Sequence, residues 1–342
     1  MDLLSLTEDP PAGPNAASVH TSASPNPRME AARLIAYRIA NAQRITRAKL
    51  REAMTAAYGG SDAEGAWTWK DAYDAAEVAE TRHLLKVGKA LIAADPATAL
   101  ERLDAMAALQ PPNRLRTEDS IALQQFSTPA PYAYAAFLAA EIRDGDLVLE
   151  PSAGHGALAA FARIGCARLI LNEIDPDRAG ALKALFDTSV HREDAAEIDD
   201  LLGDPERPSV VLMNPPFAKG LARGDHAGEA AAHVWSAFKR LAPGGRLVAI
   251  VNHGLAPGAP SHGRFWRRLF ETGRLRLAAG LDGAVYARRG TTISTRLLVL
   301  DKLKGDRPGG ADPDASCEAG ALQGLLDRIA VLPQRAGAAK AA

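Results

Sequence analysis

The chain is poor in cysteine. Its two cysteines, Cys166 and Cys317, lie far apart and have no metal-type spacing. That pattern excludes a cysteine-held structural zinc and fits a reducing cytoplasm. Long apolar runs are missing, so no segment reads as a membrane span. The N-terminus lacks a basic flank followed by an apolar core, the mark of a secretory signal, and a cytoplasmic location is expected. A charge excess of one sign is missing too. The formal net charge is −1, so any surface for nucleic acid must be a local patch. There is no phosphate loop ending in Gly-Lys-Ser/Thr and no six-residue dinucleotide glycine pattern, which points away from ATP and NAD.

What is present is a globular balance: 342 residues, 47% hydrophobic and 24% charged. Residues 1–27 are rich in Pro, Ser and Ala without apolar periodicity, and a disordered tail is expected there. Residues 28–118 are expected to form a helical N-terminal region. One helix runs from Met29 to the stop at Gly59-Gly60. A second, "TWKDAYDAAEVAETRHLLKVGKALIAA", closes before Asp95-Pro96, and a third, "PATALERLDAMAAL", ends at Pro111-Pro112. Trp67, Trp69 and Tyr73 are expected to staple these helices together.

Residues 119–303 have a different character. Apolar runs at 146–150, 168–173, 209–214, 245–251, 274–281 and 294–302 read as strands, and helical segments separate the earlier ones. This alternation argues for an α/β fold with a doubly wound, mostly parallel sheet, its last two strands joined as an edge hairpin. Residues 304–342 are expected to be a C-terminal tail with one short amphipathic helix near "GALQGLLDRIAVL".

The first strand runs into "LEPSAGHGALAAF". Glu150 and Pro151 close it, and Gly154 and Gly156 make a turn that a ligand can approach closely. The second strand ends in Glu173, roughly 20 residues past the glycines, where a carboxylate can accept hydrogen bonds from ribose hydroxyls. Asp175 competes for that role and also reads as a helix cap. Asp194 could accept a bond from an adenine amino group, or cap a helix. Upstream, Phe126, Ser127 and Thr128 precede Pro129, which can start a helix whose hydroxyl and N–H groups bind a carboxylate or simply cap it. Carboxylate, ribose and adenine together describe S-adenosylmethionine.

The fourth strand ends in Asn214-Pro215-Pro216-Phe217. A conjugated amine is a poor nucleophile because its lone pair is delocalised. An amide oxygen and a main-chain carbonyl can accept its two protons and aim the lone pair at a methyl donor. The prolines hold the turn rigid and leave carbonyls free, and Phe217 can stack on a planar target.

The ordered set "FSTP", "EPSAGHG", "NEIDP", "DAA" and "NPPF" resembles the S-adenosylmethionine-dependent amino-group methyltransferases, in the gamma-class order of the DNA adenine-N6 enzymes. More closely, about Arg51 to Lys302 is similar to the N-terminal methyltransferase-like region of bacterial strawberry notch-type methylase/helicase proteins, through "AYGGSDAEGAW", "LQQFSTPAP", "LVLEPSAGHG", "SVVLMNPPF", "GGRLVAIV" and "VYARRGTTISTRLLVLDK". The resemblance implies a class I, Rossmann-like methyltransferase with S-adenosyl-L-methionine as cofactor. Phe126, Ser127, Thr128 and Pro129 would sit at the methionine end, and Glu150, Pro151, Ser152, Ala153, Gly154 and Gly156 would line it. Glu173 and Ile174 would hold the ribose, Asp194 and Ala195 the adenine, and Asn214, Pro215, Pro216 and Phe217 the target amine.

The helicase motifs of the fused proteins are missing from this sequence, which is compatible either with an inactive scaffold or with partnership with a separately encoded helicase. Arg288, Arg289, Arg267 and Lys219 are candidate nucleic-acid contacts, and Arg264 and Arg268 lie in the same basic stretches. His155 and His253 are expected near the site as helpers, because amine methylation requires no general base. The expected function is DNA adenine-N6 methylation. The alternatives are an RNA or protein-glutamine amine as target, or an inactive cofactor-binding scaffold. No structural metal and no membrane association are expected.

Overall fold

The computed structural model describes residues 26–111, 127–203, 206–216, 228–284, 286, 293–305 and 309–336. Most of the expected N-terminal tail lies outside them, but Asn26 and Pro27 already belong to a helix start. Helix α1 (Pro27–Ala40) opens with the Asn26 side chain accepting from the Arg28 N–H and with proline at the first position. The single helix expected up to Gly59 is broken in two. Ala42 turns left-handed at φ 53°, the Ile45 N–H reaches the Leu109 carbonyl at 2.8 Å, and Thr46 caps α2 (Arg47–Tyr58). A polar cap and a fixed loop outweigh a continuous apolar pattern there. Helix α3 (Trp69–Ile92) starts in a reciprocal capping box between Thr68 and Asp71, and α4 (Pro96–Leu109) starts on Asp95.

Next come α5 (Ala130–Ala140), β1 (Leu147–Glu150), α6 (Ala157–Ile164), β2 (Arg168–Asn172), α7 (Pro176–Phe186), β3 (Val190–His191), α8 (Ile198–Leu201) and β4 (Val210–Met213). They are followed by α9 (Gly228–Arg240), β5 (Arg246–Asn252), α10 (Gly263–Leu269), β6 (Gly273–Leu281) and β7 (Thr295–Lys302). The segment expected as a tail carries its helix, α11 (Leu322–Ala330), and also two strands, β8 (Gly310–Ala311) and β9 (Ser316–Gly320).

The sheet order is β3-β2-β1-β4-β5-β7-β6-β8, and β9 also pairs with β6. Strands β3 through β5 are parallel, and β7 is antiparallel to both β5 and β6. Alternation along each strand splits its side chains between two cores. Val148, Val210 and Val248 enter the core formed with α1–α7 and α11, while Leu149, Val211 and Leu247 enter the core under α8–α10. Burial on both faces explains why these strands read as unbroken apolar runs.

The N-terminal helices share the first core with the sheet. Gly88 of α3 passes so close to α6 that a Cβ there would stand 2.0 Å from the Ile164 side chain. Arg28 joins three elements, reaching Asp71 of α3 at 2.8 Å and Asp177 of α7 at 3.1 Å.

The N-terminal end of the parallel strands is bound by buried charge. Arg246 reaches both oxygens of Asp301, at 2.6 and 3.1 Å, and donates to the Ala139 and Pro333 carbonyls. Asp301 also accepts from Arg276 at 2.7 Å. Arg335 pairs with Asp146, which accepts from Ser209 Oγ at 2.7 Å. None of the helices among the described residues is long and apolar enough to cross a membrane.

Removing one member of this system strands another charge in the interior. Asp301→Ala is expected to destabilise the fold by about 3–5 kcal/mol. Urea unfolding followed by circular dichroism measures this, and a loss below about 1 kcal/mol would contradict the assigned role.

Candidate functional site

At the opposite end, the loops after β1, β2, β3 and β4 surround a cavity of about 290 Å³. Ser127, Thr128, Glu150, Pro151, Ser152, Ala153, Gly154, Glu173, Ile174, Asp194, Ala195, Asn214, Pro215 and Pro216 all line it. Pro129 caps the start of α5 and Gly156 the start of α6, just behind the wall. Phe126, Phe217, Lys219, Arg288 and Arg289 lie outside the described residues. Arg267 is exposed on α10, away from the cavity lining. Its neighbour Arg268 packs its guanidinium over Trp235, 4.2 Å from the ring centre. Of the stapling aromatics, Trp67 and Trp69 meet edge to face at 5.4 Å.

The glycine turn is built as its residues require. Gly154 and Gly156 are left-handed, at φ 54° and 83°. A Cβ on Gly156 would stand 2.7 Å from the Phe186 ring. Glu173 locks the turn, accepting from the Gly154 N–H at 2.8 Å with one oxygen and from the Asp175 N–H at 3.0 Å with the other. Asp175 is the helix cap of the pair of acids, accepting from Asp177 and Arg178. Asp194 caps a short turn through one oxygen, Oδ1, and also faces the cavity.

Glu150 ends β1 at 2% exposure, and its Oε2 has no hydrogen-bond partner among the described residues. Burial raises its carboxyl well above the usual range, and neighbouring Glu173 raises it further against a main-chain hydrogen bond from Ala159. His233 of α9 also faces the cavity, and burial lowers its imidazole.

Asn214 follows β4. Its Nδ2 donates to Thr128 Oγ1 at 2.9 Å and to the Tyr286 hydroxyl at 3.4 Å, which fixes the plane of the amide. Thr128 is therefore a support for Asn214, a role the sequence does not announce.

Several lining residues escape a sequence reading. Glu77, Glu80 and Thr81 come from α3, and Arg178 from α7. Thr81 Oγ1 donates to the His155 carbonyl at 2.8 Å. The His155 ring lies between two α3 carboxylates, with Nδ1 2.7 Å from Glu77 and Nε2 3.4 Å from Asp74. These three residues could meet around a cation. One ring nitrogen and one oxygen from each carboxylate lie within 4.8 Å of one another.

The Glu150 carboxyl gives a pH test. Its folded pKa lies above the unfolded value of 4.5, so the folded state keeps the proton longer. Its contribution is full below the unfolded value and declines as pH rises toward the folded one. Glu150→Gln keeps the shape and removes the decline. Without added ligand, the variant should melt at or above the wild-type temperature from roughly pH 6 to 8. Calorimetry across pH reads this, and a lower melting temperature throughout would contradict it.

No family model and no curated protein matches the chain. Among solved structures it is similar to a type I restriction-modification methyltransferase subunit from Streptococcus thermophilus, with 16% identity and TM-score 0.44, covering 67% of this chain and 57% of that one. It is also similar to the type I restriction enzyme EcoKI M protein, with 16% identity and TM-score 0.43, covering 80% of this chain and 58% of that one. A third is a Thermus thermophilus 16S rRNA N2 G1207 methyltransferase, with 20% identity and TM-score 0.36, covering 53% and 44%. The chain thus spans only about half of the length of each of these proteins.

Proposed function

We propose that this protein is an S-adenosylmethionine-dependent N-methyltransferase acting on the N6 amine of adenine in DNA. One observation carries the reading: Asn214, its amide plane fixed, and Pro215-Pro216 line the same cavity as the glycine turn and Glu173. A rigid amine acceptor and a nucleoside-type pocket therefore open on one space.

The lining suits a cationic ligand. It carries seven carboxyl side chains (Glu77, Glu80, Glu150, Glu173, Glu193, Asp194, Glu229), and Arg178 supplies the guanidinium among the described residues. A polyphosphate such as ATP or NAD would meet repulsion here, whereas a sulfonium is favoured. Glu173 would take the ribose hydroxyls with its remaining lone pairs, and Asp194 and Ala195 the adenine. When bound, the cofactor supplies an electrophilic methyl group.

The Asn214 oxygen and the Pro215 carbonyl would accept the two protons of the target amine and turn its lone pair toward that methyl. The new nitrogen–carbon bond would replace the sulfur–carbon bond, whose electrons would stay on sulfur, and the surplus amine proton, held at the Asn214 oxygen or the Pro215 carbonyl, would pass to water. Phe217 would stack on the base, which reaches the cavity unpaired or flipped out of a duplex. The strawberry notch-type resemblance is what favours nucleic acid over protein.

Labelled S-adenosylmethionine is to be incubated with plasmid DNA, single-stranded DNA, RNA and cell extract, with wild type and Asn214→Ala in parallel. DNA should be labelled by wild type, with transfer lowered about 10²–10³-fold in the variant, while cofactor affinity changes less than about threefold. Label on RNA or protein alone would overturn the DNA reading. Cofactor binding with no label anywhere would favour the scaffold.

A further inference from the structure

The sequence places a ligand carboxylate at Ser127-Thr128-Pro129, but in the structure these groups are already engaged. Ser127 Oγ donates to the Glu77 carboxylate and lies 3.2 Å from His155 Nδ1. Thr128 Oγ1 accepts from Asn214. Pro129 and Pro131 bring no N–H to the start of α5. A ligand carboxylate set against Ser127 would meet the like charge of Glu77.

A donor for that carboxylate stands elsewhere on the wall. Arg178 is the third residue of α7, 6% exposed, and it lines the cavity. Its buried Nε has no hydrogen-bond partner among the described residues, and the carboxylate its charge acts on is Asp175, which is already occupied in capping α7. An arginine so deeply buried normally has its donors satisfied, and a guanidinium matches a carboxylate with two parallel bonds.

We propose that Arg178 receives the carboxylate of the ligand's amino-acid end, with Glu77 facing its ammonium group. This rests on the cofactor reading above and adds to it a residue outside the motifs that carry the resemblance. It also makes α3 part of the binding site.

Calorimetric titration of the full chain tests it with three ligands: S-adenosylmethionine, S-adenosylhomocysteine, and 5′-deoxy-5′-methylthioadenosine, which lacks the amino-acid end. Arg178→Gln should weaken the first two at least tenfold and leave the third within about twofold. Arg178→Lys, which keeps the charge and loses the fork, should fall between. Equal weakening of all three by both variants would overturn the proposal, because Arg178 would then serve the nucleoside or the packing. Unchanged binding of all three would overturn it as well. If wild type binds the thioadenosine and neither amino-acid-bearing ligand, the carboxylate site is disproved. If wild type binds none of the three, the cofactor reading itself is wrong and the proposal goes with it.

Discussion

The cavity depends on one buried amide. Asn172 ends β2 at 1% exposure, and its Nδ2 donates to the Pro151 and Glu193 carbonyls at 2.8 and 2.9 Å. Its Oδ1 accepts from the Glu193 N–H at 2.8 Å, and its own carbonyl accepts from Ala153 at 2.9 Å. Parallel strands leave unpaired backbone groups where they end, and buried groups of this kind must find partners. One side chain with both donors and acceptors satisfies the loops after β1, β2 and β3 together. A hydroxyl is too short for this, and a carboxylate has no N–H to give.

The two ends of the sheet treat charge in opposite ways. At the N-terminal end, Arg246, Asp301 and Arg276 are matched by ion pairs and main-chain carbonyls. Matched buried charge adds rigidity and little net stability. At the cavity end, Glu150 is buried with one oxygen, and Arg178 with one nitrogen, that has no hydrogen-bond partner among the described residues. Buried polar groups without partners cost stability. The first end thus holds the strands in register, and the second leaves polar groups facing a cavity.

Much of this was legible in the sequence because it rests on local chemistry. Proline and glycine mark the turns, apolar runs mark strands buried on both faces, and the acids at strand ends follow from topology. Glu150, Glu173, Asp194 and Asn214 line one cavity. What stayed hidden depends on contacts between distant segments. Nothing in "YDAAEVAET" announces that α3 crosses the glycine turn, since an acidic helix face ordinarily meets water. Thr128 reads as a cap until Asn214 is seen against it, 86 positions away. The strands β8 and β9 are too short and polar to show a period, and pairing with β6 alone makes them strands.

The ion pair between Asp146 and Arg335 closes a gap of 189 positions. At translation speeds of 5–20 residues per second, the partner arrives roughly 10–40 s after the strand it secures. Through that interval the acid at the head of β1 has been synthesised without its cation. Its earlier partners, the Arg143 N–H and Ser209 Oγ, stand 3 and 63 positions from it, so the carboxylate can be met by hydrogen bonds before its cation is made.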